Sequence, residues 1–188
     1  MQIIDFNHSS FKGFQQGEDI LLDTGILMAL SNQYDAYSTT VRALFTNHIL
    51  KNNNNLFLYV NPTIVNEVTF LADRPLKNYL KANPQEARNF DQQSKESVAN
   101  KSIEGIKELI EQEVLIVLDG DKESTLHQID MTKALGAADA LNTSIANLYG
   151  TSFLTVDYKL AQNLHTYQSK FPNIKSVYFT TGANRTYR

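Results

Sequence analysis

The chain has 188 residues, 42 % of them apolar, and 17 Lys and Arg against 20 Asp and Glu give a formal net charge of −3. This length and apolar content are sufficient for one sizeable hydrophobic core. The absence of Cys excludes disulfide scaffolds, thiol catalysis and cysteine-based zinc sites. It is also compatible with the reducing cytosol, in which we expect the protein. The mildly acidic balance argues against binding to nucleic acid through bulk charge alone.

Neither a membrane segment nor a secretory signal is expected. The longest apolar stretch, Ile20 to Leu30, is interrupted by Asp23 and is far shorter than the ~20 residues that span a bilayer. The first ten residues, MQIIDFNHSS, lack a basic region followed by an apolar run.

Residues 1–19 precede the first clear strand pattern, and we expect them to form a loose arm or an extra strand. Residues 20–188 are interpreted as one domain. Five apolar runs in it are nearly continuous rather than alternating, which is typical of strands covered on both faces in a parallel sheet. The predicted strands are Ile20–Asp23, Leu56–Val60, Val114–Leu118, Phe153–Asp157 and Val177–Thr180.

Helical patterns lie between these strands. Asn61 followed by Pro62 is typical of a helix N-cap and first position, Asp121 is a second candidate cap, and Gly150 is a favoured C-cap. The predicted helices are Tyr34–Lys51, Thr63–Ala72, Lys122–Leu135, Ala137–Tyr149 and Leu160–Gln168. Such alternation predicts a three-layer α/β/α sandwich with a mainly parallel sheet.

Two segments depart from the alternation. Residues 75–112 are long, polar and helix-prone where a short connection would suffice. We interpret them as a helical insertion of two or three helices, broken near Asn83 and Pro84. The Asn run over residues 52–55 is most simply a solvated loop.

Four acidic residues occupy positions suited to chemistry. Asp23 ends the first predicted strand and Asp157 ends the fourth, and ligands bind beyond the carboxyl ends of parallel strands. Asp139 lies in the first turn of a predicted helix, and Glu67 lies within an otherwise apolar one. Carboxylates that converge on one crevice repel each other unless a hard cation is present. A set of ligands that consists entirely of oxygen atoms favours Mg²⁺ or Mn²⁺ over zinc.

Each acid also has a simpler interpretation. Asp139 is favoured near a helix N-terminus by the macrodipole, Asp157 is a candidate N-cap, and Glu67 is a candidate exposed residue on a helix edge. The joint arrangement favours a shared site. The tripeptide Asp23-Thr24-Gly25 also occurs in aspartic proteases, but that class needs a β-rich chain and a second catalytic Asp.

The acids and their neighbours resemble the four acidic motifs of the PIN domain, the nuclease domain of VapC-type toxins and related ribonucleases. The resemblance covers about residues 20–180. Its most specific part is the pairing of the last two motifs, which are 18 residues apart from Asp139 to Asp157. The motifs are ILLDTGILMAL, NPTIVNEVTFL, ALGAADALNTSIANLYG and FLTVDYKLAQ. The resemblance implies a PIN-like sandwich whose five strands have the order 3-2-1-4-5.

It also implies a Mg²⁺- or Mn²⁺-dependent endoribonuclease. In that family, acids matching Asp23, Asp139 and Asp157 hold one or two metal ions, and the acid matching Glu67 completes the catalytic pocket. A Thr matching Thr155 supports the last acid through its hydroxyl.

Three further positions bear on the resemblance. Thr24 matches a position that commonly carries a hydroxyl residue beside the first acid. Gly25 stands where the family often has a polar residue, commonly Asn, and Lys159 stands where some relatives carry a further acid.

The leading biological role is that of the toxin in a toxin–antitoxin pair, with RNA as substrate. A small antitoxin would lie over the insertion and the crevice, and the family also implies homodimerisation. The alternatives are a non-catalytic PIN-like module that binds nucleic acid or protein, and a housekeeping RNA-processing nuclease. Several basic residues are either phosphate contacts beside the crevice or part of a solvated face. They are Arg42, Arg74, Lys77, Lys81, Arg88 and Lys159.

Overall fold

A computed structural model describes residues 1–51 and 55–181, so that most of the Asn run at 52–55 lies outside the described residues. One sheet of six parallel strands runs through the described part of the chain in the order β1-β6-β5-β2-β3-β4. The strands are β1 (Gln2–Asp5), β2 (Asp19–Leu22), β3 (Phe57–Val60), β4 (Leu115–Val117), β5 (Ser152–Leu154) and β6 (Ser176–Phe179).

The five strands predicted from apolar runs take the predicted order. Strand β2 is central, with Ile20 paired to Leu58 of β3 on one side and to Ser152 of β5 on the other. Ile20, Leu21 and Leu22 are fully buried, as expected for a strand covered on both faces. The α/β class and the parallel sheet are therefore confirmed.

The prediction of five strands is wrong, because residues 2–5 add a sixth at the edge of the sheet. Strand β1 pairs in parallel with β6, and Ile3 faces Val177 in the register. Its sequence, QIID, has only two apolar residues, both half-buried, and its partner strand lies near the other end of the chain. A four-residue segment of this kind carries little local signal for a strand.

Eight α-helices and three short helical turns lie between the strands in the described residues. The predicted start signals act as expected: Asn61 Oδ1 accepts a hydrogen bond from the Ile64 N–H at 2.9 Å, and Asp121 Oδ1 accepts one from the Ser124 N–H at 2.8 Å. The helices are α1 (Thr24–Ser31), α2 (Ser38–Leu44), α3 (Pro62–Leu71), α4 (Arg74–Ala82), α5 (Gln92–Glu111), α6 (Lys122–Leu135), α7 (Ala137–Tyr149) and α8 (Tyr158–Thr166). None of these helices is both long and apolar enough to cross a membrane.

The segment predicted as one helix over residues 34–51 begins later than expected. Asn32 Oδ1 accepts from the Tyr34 N–H at 3.0 Å, and Asp35 Oδ1 accepts from the Tyr37 N–H at 2.8 Å. These local hydrogen bonds hold residues 32–37 in turns, so that helix α2 begins only at Ser38. A π-helical turn, Phe45–Leu50, follows it directly.

The insertion is helical and broken where Pro84 predicts a break. Helix α4 ends at Ala82, a 3₁₀ turn covers Pro84–Asn89, and α5 follows at Gln92.

A buried carboxylate lies at the amino ends of the central strands. Glu18, which immediately precedes β2, is only 5 % exposed. Its Oε1 accepts from the Ser152 hydroxyl at 2.6 Å and from the Tyr178 hydroxyl at 2.9 Å, and its Oε2 accepts from the Gln15 N–H at 2.8 Å. Three donors therefore satisfy this carboxylate without a cation.

Candidate active site

Asp23 lies immediately beyond the carboxyl end of β2 and is the N-cap residue of α1. Its carboxylate is 6 % exposed and is fixed from two sides. Oδ1 accepts from the Thr24 N–H at 2.8 Å, and Oδ2 accepts from the Thr155 hydroxyl at 2.6 Å. The carboxylate thus has a fixed direction at the end of the strand where ligands are expected to bind.

Thr155 connects the first acid with the last one. Its fully buried hydroxyl donates to Asp23 and accepts from the Asp157 N–H at 2.9 Å. The resemblance implied that this hydroxyl supports the last acid. The hydrogen bond from the Asp157 N–H agrees with this expectation, and the structure adds that the Thr155 hydroxyl donates its proton to the carboxylate of Asp23.

Asp157 has the role of an N-cap. Strand β5 ends at Leu154, and Asp157 Oδ1 accepts from the Leu160 N–H at 3.0 Å at the start of α8. This bond uses one carboxylate oxygen, and the other accepts no hydrogen bond from a described residue. The capping role therefore leaves the exposed Asp157 with an oxygen available for a ligand.

Glu67 is tied to Asp23 through one side chain. Its Oε2 accepts from the Thr24 hydroxyl at 2.6 Å, while the Thr24 N–H donates to Asp23. Glu67 is half-buried, so the interpretation as an exposed residue on a helix edge is wrong. Thr24 thus orients two of the four acids.

Asp139 is the least satisfied of the four carboxylates. It lies half-buried in the first turn of α7, and no described residue gives its carboxylate a hydrogen bond or an ion pair. Burial, followed by the charges of Asp23, Asp157 and Glu67, raises the pKa of Asp139 to about 7. Asp139 therefore belongs to the same cluster as the other three acids.

The pKa of Asp23 is raised as well, to about 6. Burial is the largest cause, the hydrogen bonds from Thr155 and Thr24 act against it, and the charges of Asp157 and Glu67 add to the rise. Within residues 1–51 and 55–181, none of the four carboxylates forms an ion pair with Lys, Arg or His. The repulsion in this acid cluster is consequently uncompensated.

The donors of the acid cluster fit a hard divalent cation in their chemistry. All are carboxylate oxygens, and the raised pKa values of Asp23 and Asp139 reflect a negative potential that a cation would offset. As the side chains stand, no three Asp, Glu, His or Cys residues of the described chain are arranged so that they could hold an ion. The cluster thus provides carboxylate oxygens of the kind that bind such a cation, but these oxygens are not arranged around one ion.

Gly25 differs from the usual family residue for a reason that the packing makes clear. A Cβ atom built at Gly25 would lie 2.6 Å from Cγ2 of Val156, closer than side chains pack. Val156 directly precedes the capping Asp157, so the absence of a side chain at Gly25 leaves room for the segment that leads into α8. Sequence reasoning missed this close approach because Gly25 and Val156 are far apart in the chain.

Comparison with known proteins gives a likeness in fold. No family model matches the sequence, and no curated protein matches it either. A chain of FitAB bound to an IR36 DNA fragment has 15 % identity and a TM-score of 0.53, with coverage of 85 % of this chain and 94 % of that one. FitAcB from Neisseria gonorrhoeae has 16 % identity and a TM-score of 0.48, with coverage of 86 % and 96 %.

VapBC2 from Rickettsia felis, bound to a DNA fragment from its promoter, has 14 % identity and a TM-score of 0.47, with coverage of 85 % and 98 %. Of these three structures, the FitAB chain supports the fold. The chain therefore shares a fold with the FitAB chain, in agreement with the PIN-like fold that its acidic motifs predict.

Proposed function

We propose that the protein is a metal-dependent endoribonuclease that hydrolyses RNA phosphodiester bonds with Mg²⁺ or Mn²⁺. The observation that carries this proposal is the acid cluster: four carboxylates, without a compensating cation, at the carboxyl ends of β2 and β5. Perturbed carboxylates in a crevice are typical of functional sites. The simplest partner for such a cluster is a hard cation, and a cation held there would also attract a phosphate of the RNA.

The proposed roles are those that the resemblance implies. Asp23, Asp139 and Asp157 would hold the cation, and Glu67 would complete the pocket. Such a cation, when bound, lowers the pKa of a coordinated water and offsets charge on the attacked phosphate. Thr155 keeps Asp23 in one orientation. Water adds to phosphorus as the bond to the 3′ oxygen breaks, which leaves a 5′-phosphate and a 3′-hydroxyl.

The proposed biological role is that of a cytoplasmic toxin with a small antitoxin as its partner. The likeness in fold to the FitAB chain supports this role at the level of the fold. Expression of the protein should arrest growth, and co-expression of a small neighbouring gene product should relieve the arrest. Unchanged growth despite nuclease activity in vitro would favour a housekeeping RNA-processing nuclease.

The catalytic proposal is tested by cleavage of labelled RNA with Mn²⁺ and with excess chelator. Wild-type protein should cleave only with the metal, and Asp23→Asn and Asp139→Asn should each reduce the rate by a factor on the order of 100 or more. The matched control is Asp130→Asn, which removes one exposed carboxylate from α6, outside the acid cluster. Equal rates in all four proteins, or cleavage that is unaffected by the chelator, would contradict the proposal.

A further inference from the structure

A groove of about 710 Å³ opens beside the acid cluster. Thr24, Gly25 and Val156 line the end nearest to the acids, and helix α4 of the insertion lines another part. Thr24 itself donates to Asp23 and Glu67, so this end of the groove is continuous with the cluster. Its volume lies within the roughly 300–1,000 Å³ of clefts that bind small ligands.

One side of the groove carries cations that lack partners. Arg74, Asn78 and Lys81 line it at positions i, i+4 and i+7, which places them on one face of α4. All three are exposed, and none of their side chains forms a hydrogen bond or ion pair with another described residue. Lys77, on the same helix, is instead paired with Asp73 and does not line the groove. On α4, the cations without a partner are therefore the two that line the groove.

Apolar side chains form much of the remaining lining. Met28 of α1, Leu71 of α3 and Pro75 of α4 contribute to it. Asp35, whose carboxylate accepts from the Tyr37 N–H, also lines the groove. Two free cations against this one carboxylate, together with the apolar surface, suit a ligand that has a flat apolar part and anionic groups. A nucleotide within a polynucleotide strand has both features.

We propose that this groove binds the RNA strand on one side of the cleaved bond, with phosphates at Arg74 and Lys81 and a base against the apolar lining. This inference rests on the proposed function and adds the residues of α4 that position the strand. The acid cluster repels the strand, and the net charge of −3 provides no general attraction. Local cations beside the cluster must therefore supply the phosphate contacts.

The spacing of the two cations favours an extended strand. Arg74 and Lys81 are seven residues apart on α4, which corresponds to roughly 10 Å along the helix axis. They are therefore placed to contact different phosphates of one strand. Asn78 lies between them and offers an amide to a base edge.

The test compares two double variants with the same change in charge. Arg74→Gln with Lys81→Gln removes the groove cations, while Lys77→Gln with Lys107→Gln removes two exposed lysines outside the groove. Binding of a labelled single-stranded RNA is measured against salt concentration in the Asp139→Asn background, which prevents cleavage. Loss of two phosphate contacts should reduce the slope of log K against log salt by about 1.4 and weaken binding about tenfold at 0.15 M salt.

The control pair should leave the slope unchanged. An equal decrease in both pairs would overturn the inference, because only net charge would then matter. An unchanged slope in the groove variant would also overturn it, and a simultaneous loss of antitoxin binding would assign the groove to a protein partner. If wild-type protein binds RNA but does not cleave it with Mn²⁺, the proposed function fails while the slope still decides this inference. No RNA binding at all would overturn both.

Discussion

Two buried carboxylates lie at opposite ends of strand β2 and have contrasting surroundings. Glu18 precedes the strand and is 5 % exposed, and Asp23 follows it and is 6 % exposed. Glu18 accepts hydrogen bonds from Ser152, Tyr178 and the Gln15 backbone. Asp23 accepts two, and the charges of Asp157 and Glu67 act on it.

The contrast separates a structural carboxylate from one that is set up for a ligand. At Glu18 the donors are the Gln15 N–H, the Ser152 hydroxyl of β5 and the Tyr178 hydroxyl of β6. The charge of Glu18 in turn acts on the Tyr178 hydroxyl. Burial, followed by the charge of Glu18, raises the pKa of that hydroxyl, so it stays protonated and continues to donate. At the acid cluster, burial and repulsion raise the pKa of the carboxyls themselves. Glu18 and Asp23 are buried to about the same depth, and they differ in the hydrogen-bond donors that satisfy them.

The largest expected effect on stability is that of Glu18→Ala. This change leaves buried hydroxyls of Ser152 and Tyr178 without an acceptor and should lower the free energy of unfolding by roughly 3–5 kcal/mol. Chemical denaturation measures the loss, with Glu108→Ala on the exposed side of α5 as the control. If Glu18→Ala is too unstable to purify, Tyr178→Phe tests the same network with a smaller loss. A change below ~0.5 kcal/mol in both would contradict the structural role of Glu18.

The pH dependence of stability should arise from the acid cluster. In metal-free protein the raised pKa values of Asp23 and Asp139, about 6 and about 7, keep protons on the folded state that the unfolded chain has already lost. The free energy of unfolding should therefore fall as pH rises from about 4 to about 8 and level off above that. At ~1.4 kcal/mol per pKa unit, the two shifts together give a decrease of several kcal/mol.

Asp139→Asn should flatten this profile and stabilise the metal-free protein near pH 8, because it removes one repelling charge. Denaturation curves at several pH values, without metal, measure the effect. A profile as steep in Asp139→Asn as in wild type, or a stability that rises between pH 4 and pH 7 in both, would contradict the coupling of these acids.

Two matched substitutions with smaller expected effects each remove one hydroxyl, one beside Glu18 and the other beside Asp23. Ser152→Ala takes a donor from Glu18, and Thr155→Val takes one from Asp23. Each should lower the free energy of unfolding by about 1 kcal/mol. Only Thr155→Val should also slow RNA cleavage, by roughly tenfold, since it releases the orientation of Asp23. Equal cleavage rates in the two variants would show that this orientation has no effect on catalysis.

The sequence was informative wherever a single local segment determines position. Continuous apolar runs predicted five of the six strands and, with the acidic motifs, their order. Asn61 and Asp121 marked helix starts correctly. The four acids were found because each lies at a strand end or on a short, recognisable helix segment.

The features that sequence reasoning missed depend on partners far along the chain. Glu18 meets Ser152 and Tyr178, and Gly25 leaves space for Val156. A charged residue directly before a buried strand was the available signal for Glu18, but its donors could not be read from local pattern. The extra strand that was one expectation for residues 1–19 is present as β1, but its pairing with β6 carries no local signal. Thr155 forms the expected hydrogen bond with Asp157, whereas its bond to Asp23, on another strand–helix connection, was not foreseen.

The most direct test of the central claim, that the acid cluster holds a divalent cation, is a thermal melt near pH 8 with and without millimolar Mn²⁺. Wild-type protein and Asp139→Asn are compared, with Asp130→Asn as the control. We expect Mn²⁺ to raise the melting temperature of wild type and of the control by several degrees and to leave Asp139→Asn unchanged. An equal rise in all three proteins, or no rise in any, would contradict the cation site.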